Sequence, residues 1–319
     1  MVNIKKLPNP ELIRKLYQKY YIQEFTSTSL MSSHWQEFTK YIKVDFDMES
    51  GILNEFKGYG FGDLQHTRLI DKILNYFCNL SYFIRLPYKR DIKFLVKKAI
   101  PLLQKIDSYL SYDCFRQICS LVVIRKYFDL REKDYFNILV IGDGYGFLSA
   151  LLKSLYINAT ITLVDIGKVL LFQAVNLQRI YPDFSHFLFD DQKTHSNNFD
   201  FLYIPAECMP KMMNIKYKLI INISSMQEMN YETINDYFTF LRSNSTKDNL
   251  FYCCNRRLKI LPRGEVIEFF KYPWHSKDKH IVDEEPLFYR YFLSPRFPFI
   301  HYFEGCMHHR LTNLFLERD

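Results

Sequence analysis

Three glycines at alternate positions, Gly142, Gly144 and Gly146, with Asp143 and Tyr145 between them, carry the most chemistry in this chain of 319 residues. They follow the apolar run Ile138-Leu-Val-Ile141. A second apolar run, Ile161-Thr-Leu-Val-Asp165, ends in an acid. Glycine lets a backbone approach a ligand closely, and a helix that starts after such a turn offers unpaired N–H groups. An acid at the tip of the next strand is placed to accept both hydroxyls of a ribose. Together these features imply a nucleoside-containing cofactor.

Spacing narrows the choice. The dinucleotide fingerprint is G-x-G-x-x-G, whose third glycine permits close helix–strand packing. Here that position holds Phe147, and Asp143 is a poor neighbour for a pyrophosphate. A G-x-G-x-G turn containing an acid suits a cofactor with a positive charge and no phosphate. S-adenosylmethionine, a sulfonium with a free amino acid end, fits that description. The plainer reading is a tight strand–helix turn in an ordinary α/β domain, with Asp165 incidental.

The elements that must position these residues follow a strand–helix rhythm from Asn137 onward. Helices are expected over 147–156, 168–181 and 231–242, and strands over 199–204, 217–223 and 249–254, with proline breaks between them. The segment 184–198 is polar and takes no clear assignment, and 265–270 and 299–316 look strand-like. Alternating units of this kind imply an α/β fold with a doubly wound, mostly parallel, Rossmann-like sheet. Sites in such sheets lie at the carboxyl ends of strands, where the glycine turn, Asp165, 205–207, 222–228 and 255–256 all fall. The first part of the chain reads as mostly helical, with apolar residues at helical spacing and one glycine-rich interruption, Gly58-Tyr-Gly-Phe-Gly62. The expected division is a helical region over 1–133, serving as lid, substrate or dimer element, and a Rossmann-like catalytic domain over 134–319.

Composition excludes several classes. The net charge of +7 is spread in doublets such as Lys97-Lys98 and Arg256-Arg257, which reads as a solvated basic surface rather than a nucleic-acid footprint. An anionic or lipid-linked substrate near a membrane surface stays open. The 24 tyrosines and 29 phenylalanines are abundant, as an AT-rich genome would make them. Seven cysteines form no C-x-x-C pair, which argues for reduced thiols in a cytosol. The N-terminus lacks the apolar core of a signal peptide, and no apolar run approaches the roughly 18 residues needed to cross a bilayer. A soluble, cytoplasmic protein with no membrane span is the expectation. A homo-oligomer is allowed by the sequence and not required.

With those residues placed, the chain resembles the class I S-adenosylmethionine-dependent methyltransferases and, more narrowly, the bacterial sugar O-methyltransferase family. The resemblance rests on Ile141-Gly-Asp-Gly-Tyr-Gly-Phe-Leu148, Val164-Asp-Ile166 and the run Asn222-Ile-Ser-Ser-Met-Gln-Glu-Met229. Tyr237-Phe238, Phe251-Tyr252 through Asn255 and Tyr272-Pro-Trp274 complete it, over about residues 136–275. It implies methyl transfer to a hydroxyl of a sugar-containing acceptor, a nucleotide sugar or cell-surface glycan precursor. By resemblance and placement, Gly142, Gly144 and Gly146 line the methionine and ribose portion of the cofactor, with Tyr145 and Asn222 in the same set. Asp143 takes the ammonium group, Asp165 the ribose hydroxyls, and Ile166 lies against the adenine. Asp190 or Asp191 is a candidate for the adenine amino group.

On the acceptor side, Glu228 is the candidate base or orienting carboxylate, set against the alternative of a first-turn acid complementing a helix dipole. His275, after the Tyr-Pro-Trp turn, is a candidate for proton removal, and Arg256 for an anionic group on the acceptor. His308-His309 does not make a metal site, because neighbours on a strand point to opposite faces and no carboxylate partner is evident, so no metal is expected. Three rivals stand beside this reading. A nucleic-acid base methyltransferase would show an Asn/Asp-Pro-Pro-aromatic motif where this chain has Asn222-Ile-Ser-Ser. A non-catalytic cofactor-binding module would have kept the fold without the chemistry. A nicotinamide enzyme is disfavoured by Phe147.

Overall fold

The apolar runs that bracket the glycine turn become the centre of an eight-stranded sheet. The computed structural model describes residues 7–23, 32–58, 69–128, 134–189, 199–211, 215–293, 297, 300–302 and 306–316. Before the first core strand come α1 (Pro10–Tyr17), α2 (Ser33–Phe38), the antiparallel hairpin of β1 (Lys43–Phe46) and β2 (Leu53–Lys57), and then α3 (Leu69–Arg85), α4 (Lys89–Lys105) and α5 (Tyr112–Tyr127). The alternating part runs β3 (Asn137–Ile141), α6 (Phe147–Leu155), β4 (Thr160–Asp165), α7 (Gly167–Ile180), β5 (His186–Leu188) and β6 (Phe201–Pro205). It continues with β7 (Tyr217–Ile223), α8 (Tyr231–Ser243) and β8 (Ser245–Arg256). After it come β9 (Leu258–Ile260), β10 (Val266–Glu268), β11 (Lys279–Glu284), β12 (Tyr291–Leu293), β13 (Ile300–Tyr302) and β14 (Met307–Asn313).

The sheet order is β11-β14-β8-β7-β3-β4-β6-β5. From β8 to β5 every pairing is parallel, whereas β14 runs antiparallel to both β8 and β11. The fold is therefore α/β with a mostly parallel, Rossmann-like sheet. Central strands β3, β4 and β7 read as unbroken apolar runs because helices cover both faces. Their neighbours on one face are α6 and α7, whose apolar sides join one buried cluster with α1, α4 and α5. On the other face α8 and the turn at 206–211 cover Ile141, Val164 and Ile220. Each fully buried Leu or Ile contributes roughly 1.5–3 kcal/mol of transfer free energy. The strand order reverses beside β3, between β4 on one side and β7 on the other, which opens a crevice at the carboxyl ends of those strands.

Several boundaries agree with the sequence to within a residue or two. The helices expected over 147–156 and 168–181 span Phe147–Leu155 and Gly167–Ile180. The polar stretch at 184–198 hides the short strand β5, and 265–270 turns from β10 into the tight helical turn Phe269–Lys271. The region before 134 is not purely helical, since β1 and β2 form a hairpin held by tertiary packing. Nor does the core divide at 133: Leu16 and Ile118 belong to the same buried cluster as Leu151 and Leu171. Residues 59–62 of the glycine-rich interruption lie outside the described residues.

Candidate active site

Each glycine of the turn after β3 takes a backbone conformation that side chains disfavour, with φ of +74° at Gly142, +58° at Gly144 and +82° at Gly146. A Cβ on Gly142 would also lie 2.1 Å from the Ser225 hydroxyl, so the turn is pressed against the loop that follows β7. Asp143 folds back onto the helix it precedes. Its carboxylate accepts hydrogen bonds from the Leu148 and Ser149 N–H groups, at 3.1 and 2.8 Å, and so caps α6. At the end of β4, Asp165 accepts from the Ile166 N–H at 2.8 Å and from Gln173 Nε2 at 2.6 Å.

These donors to the two acids are amides and not cations. Burial pushes the Asp143 carboxyl up to about 6. Burial also pushes Asp165 up to about 7, with the charges of Asp143 and Glu228 adding to the effect. Two neighbouring acids in this state create a demand for positive charge that a cationic ligand would meet.

Glu228 is positioned by a lattice of amides. Beyond β7 the chain turns through Ser224, at φ +60°, into a short helical turn over Met226–Glu228. Asn222 holds that turn: its Nδ2 donates to the Ile141 carbonyl and to Ser225 Oγ, and its Oδ1 accepts from Met226 N and Asn255 Nδ2. Asn255 in turn accepts from Gln227 N, and Gln227 Oε1 accepts from Arg256 N. The Glu228 carboxylate then meets Lys259 Nζ at 3.0 Å and His34 Nε2 at 3.3 Å, and Ser32 Oγ donates to its backbone carbonyl. Burial alone would raise this carboxyl, yet the contact with His34 and the charge of Lys259 outweigh it and hold Glu228 below its ordinary range. It stays an anion at neutral pH.

Gly142, Asp143, Gly144, Asp165 and Ile166 line a single cavity of about 400 Å³. Glu228 and Arg256 line it too. The other expected residues stand elsewhere. Tyr145 is buried behind the turn, its carbonyl accepting from Asn176 and its ring edge-on to Phe172. Gly146 opens α6 against α7, where a Cβ would lie 3.3 Å from Gln173 Cα. Asn222 spends both ends of its amide on the loop it braces, so it supports the cavity without facing it. His275 is a correction: it does not line the cavity. The Arg242–Asp278 ion pair at 2.9 Å and the Arg242 bond to the Pro273 carbonyl fix its turn. The His275 ring stacks on Phe315 and its Nδ1 accepts from Lys277 N. Asp190 and Asp191 lie outside the described residues.

Four groups that the sequence did not single out also shape the site. The Tyr20 ring lies flat against Gly167, where a Cβ would come within 2.2 Å of it, and its hydroxyl donates to Glu207 at 2.7 Å. Trp35 and Arg116 line the cavity, the Arg116 guanidinium 4.4 and 4.6 Å from the Tyr112 and Tyr289 rings. Lys259 backs Glu228 from β9. Their positions depend on chain segments far apart in sequence, and no local spacing marks them. Among the described residues no group of three or more His, Cys, Asp or Glu is arranged to hold a metal ion.

No family model matches the chain, and no curated protein does. Solved structures that resemble it include coclaurine N-methyltransferase bound to N-methylheliamine and SAH, with 14% identity over 54% of this chain and 50% of that one and a TM-score of 0.39. The present chain thus spans about half the length of that enzyme. A TehB-like SAM-dependent methyltransferase from Corynebacterium glutamicum is 9% identical over 62% of this chain and 88% of its own, with a TM-score of 0.38. The glycopeptide N-methyltransferase MtfA complexed with S-adenosyl-L-methionine is 9% identical over 61% and 92%, also at 0.38. Likenesses this distant assign neither cofactor nor acceptor.

Proposed function

We propose that this protein is an S-adenosylmethionine-dependent O-methyltransferase whose acceptor is a sugar hydroxyl, on a nucleotide sugar or a glycan precursor. The observation that carries the cofactor is the pairing of the Gly142–Gly144 turn with Asp165 on one cavity, where two buried acids face no lysine or arginine in their hydrogen bonds. S-adenosylmethionine supplies an activated methyl group on a positively charged sulfur, and it matches the size of the cavity and would bring a cation to its two buried acids. Asp165 would hold the ribose hydroxyls and Ile166 the adenine face. Asp143 would act on the ammonium group through its charge, since its oxygens already cap α6.

The sugar acceptor is supported by the Asn222–Met229 run and by the ionised Glu228 on the cavity wall. Glu228 would accept a hydrogen bond from the acceptor hydroxyl and so aim the oxygen at the methyl carbon. Positioning of this kind supplies a large share of the acceleration in a displacement. The same carboxylate would receive the proton as the new C–O bond forms and the bond from the methyl carbon to the sulfur breaks. Arg256, which lines the same cavity, would hold an anionic group of the acceptor. All seven cysteines are free thiols, and no helix among the described residues is long and apolar enough to cross a membrane, which supports action in the cytoplasm on a soluble or surface-bound acceptor.

Incubation with methyl-labelled cofactor and a panel of nucleotide sugars tests the acceptor. Label recovered as a methyl ether of a sugar, and lost in Glu228→Gln, is the expected result. Label recovered in RNA, or on an amine with no sugar ether formed, would refute the acceptor and leave the cofactor intact.

A further inference from the structure

Helix α3 is amphipathic in the wrong direction for a soluble surface. Its inward face carries Asn75, Cys78, Asn79 and Tyr82, all buried. Leu69, Ile73, Tyr76, Phe77, Leu80 and Ile84 point outward, with Leu69 73%, Tyr76 64% and Ile84 62% exposed. Hydrogen bonds fix this orientation. Asn75 Oδ1 accepts from Tyr112 N at 2.6 Å, and Asn79 Nδ2 donates to the Leu110 carbonyl at 3.1 Å. The Tyr82 hydroxyl accepts from Tyr291 N at 2.7 Å. Rolling the helix to bury its apolar side would strand all three. An apolar stripe along four turns exceeds the scattered apolar residues of an ordinary monomer surface and marks an interaction face.

Charge selects the occupant. Residues 69–105 hold eight lysines and arginines against two acids, which accounts for six of the seven net positive charges of the chain. Arg85, Lys89, Arg90, Lys93 and Lys97 are exposed on and just after α3. They mix with the aromatic residues, as Lys93 Nζ lies 5.6 Å from the Phe83 ring on α3. A second copy would bring like charge against like charge. A bilayer with anionic headgroups would take the apolar side chains into its acyl boundary and pair the basic rim with its phosphates.

We propose that α3 and the start of α4 form a docking surface for an anionic membrane. The inner face of α3 is bonded to the beginning of α5, which carries Arg116 and Gln117 to the cavity, so docking would set the acceptor side of the site beside the lipid surface. The docking itself does not depend on the methyltransferase reading.

The test is flotation of the full chain with phosphatidylcholine vesicles, with and without phosphatidylglycerol, in the absence of cofactor. Alongside run Phe77→Glu, which touches only the outer face, and Lys89→Glu/Lys93→Glu. Binding to the phosphatidylglycerol vesicles alone, weakened roughly tenfold or more by either variant and by added salt, is the expected result. Unchanged circular dichroism would show that the variants remain folded. No vesicle binding by the parent chain would overturn the proposal. So would a dimer in sedimentation that Phe77→Glu converts to monomer, since a second copy would then own the face.

Discussion

Asp143 and Asp165 hold their protons in a pH range where the same residues in an unfolded chain have lost them. The ordinary aspartate value is about 3.9, and the folded values are about 6 and about 7. A group raised in this way stabilises the fold fully below its ordinary value, and the contribution is lost as pH rises through the folded one. The ligand-free protein is therefore expected to lose thermal stability between about pH 4 and pH 7, and Asp165→Asn to flatten that slope. A cation binds the ionised acids best, so affinity for S-adenosylmethionine should rise across the same window with release of protons. Calorimetry in buffers of different ionisation enthalpy reads that release directly, and a pH-independent affinity would contradict it. Glu228 behaves oppositely. Its lowered carboxyl contributes stability above the ordinary value, and this is lost only as pH falls through the folded one. Glu228→Gln leaves the half-buried Lys259 without its partner, a loss of stability smaller than the roughly 3–5 kcal/mol of a fully buried pair. The expected outcome is a lower melting temperature and slower turnover at unchanged cofactor affinity, with Lys259→Met restoring the melting temperature but not turnover.

Among the elements, the turn between β3 and α6 is the most constrained. Gly142→Ala would meet both an unfavourable φ and the Ser225 hydroxyl, so the loop carrying Glu228 must move with it. Loss of cofactor affinity by roughly tenfold or more, about 1.4 kcal/mol, is expected from titration. Adding Ser225→Gly should recover only part of it, because the clash is relieved and the φ is not. Full recovery would mean that the glycine serves packing alone. This turn and Asp165 were legible in the sequence because a strand, a glycine turn and a terminal acid are local patterns. Asn222 was legible as a strand-end residue but not in its role, since its partners Ile141 and Asn255 come from other strands. His275 misled for a related reason: proximity to a Tyr-Pro-Trp turn says nothing of which way the ring faces. The contacts that decide it belong to Arg242 and Phe315.

At the scale of the whole molecule, the described residues before 129 contribute to the core rather than forming an appendage. Leu16, Leu95, Phe115 and Ile118 share one buried cluster with α6 and α7, and Tyr20, Trp35 and Arg116 reach the cavity. A chain cut to 134–319 would expose that face of α6 and α7. It is expected to aggregate or to bind a hydrophobic dye without a cooperative thermal transition, and a sharp transition in the fragment would show an independent domain. The helical spacing before residue 134 was readable, but the hairpin of β1 and β2 and the shared core were not, because long-range packing overrides local preference. The inverted face of α3 was equally hidden, since periodicity reports that a helix has two faces and not which one the fold buries.

The most direct measurement is calorimetric titration of the full chain with S-adenosylmethionine and S-adenosylhomocysteine, with Asp165→Ala alongside. Saturable binding of both ligands by the parent chain, with affinity lost in the folded variant, is the expected result. A folded parent chain that binds neither, or a variant that binds as well as the parent, would contradict the assignment of this cavity to the cofactor.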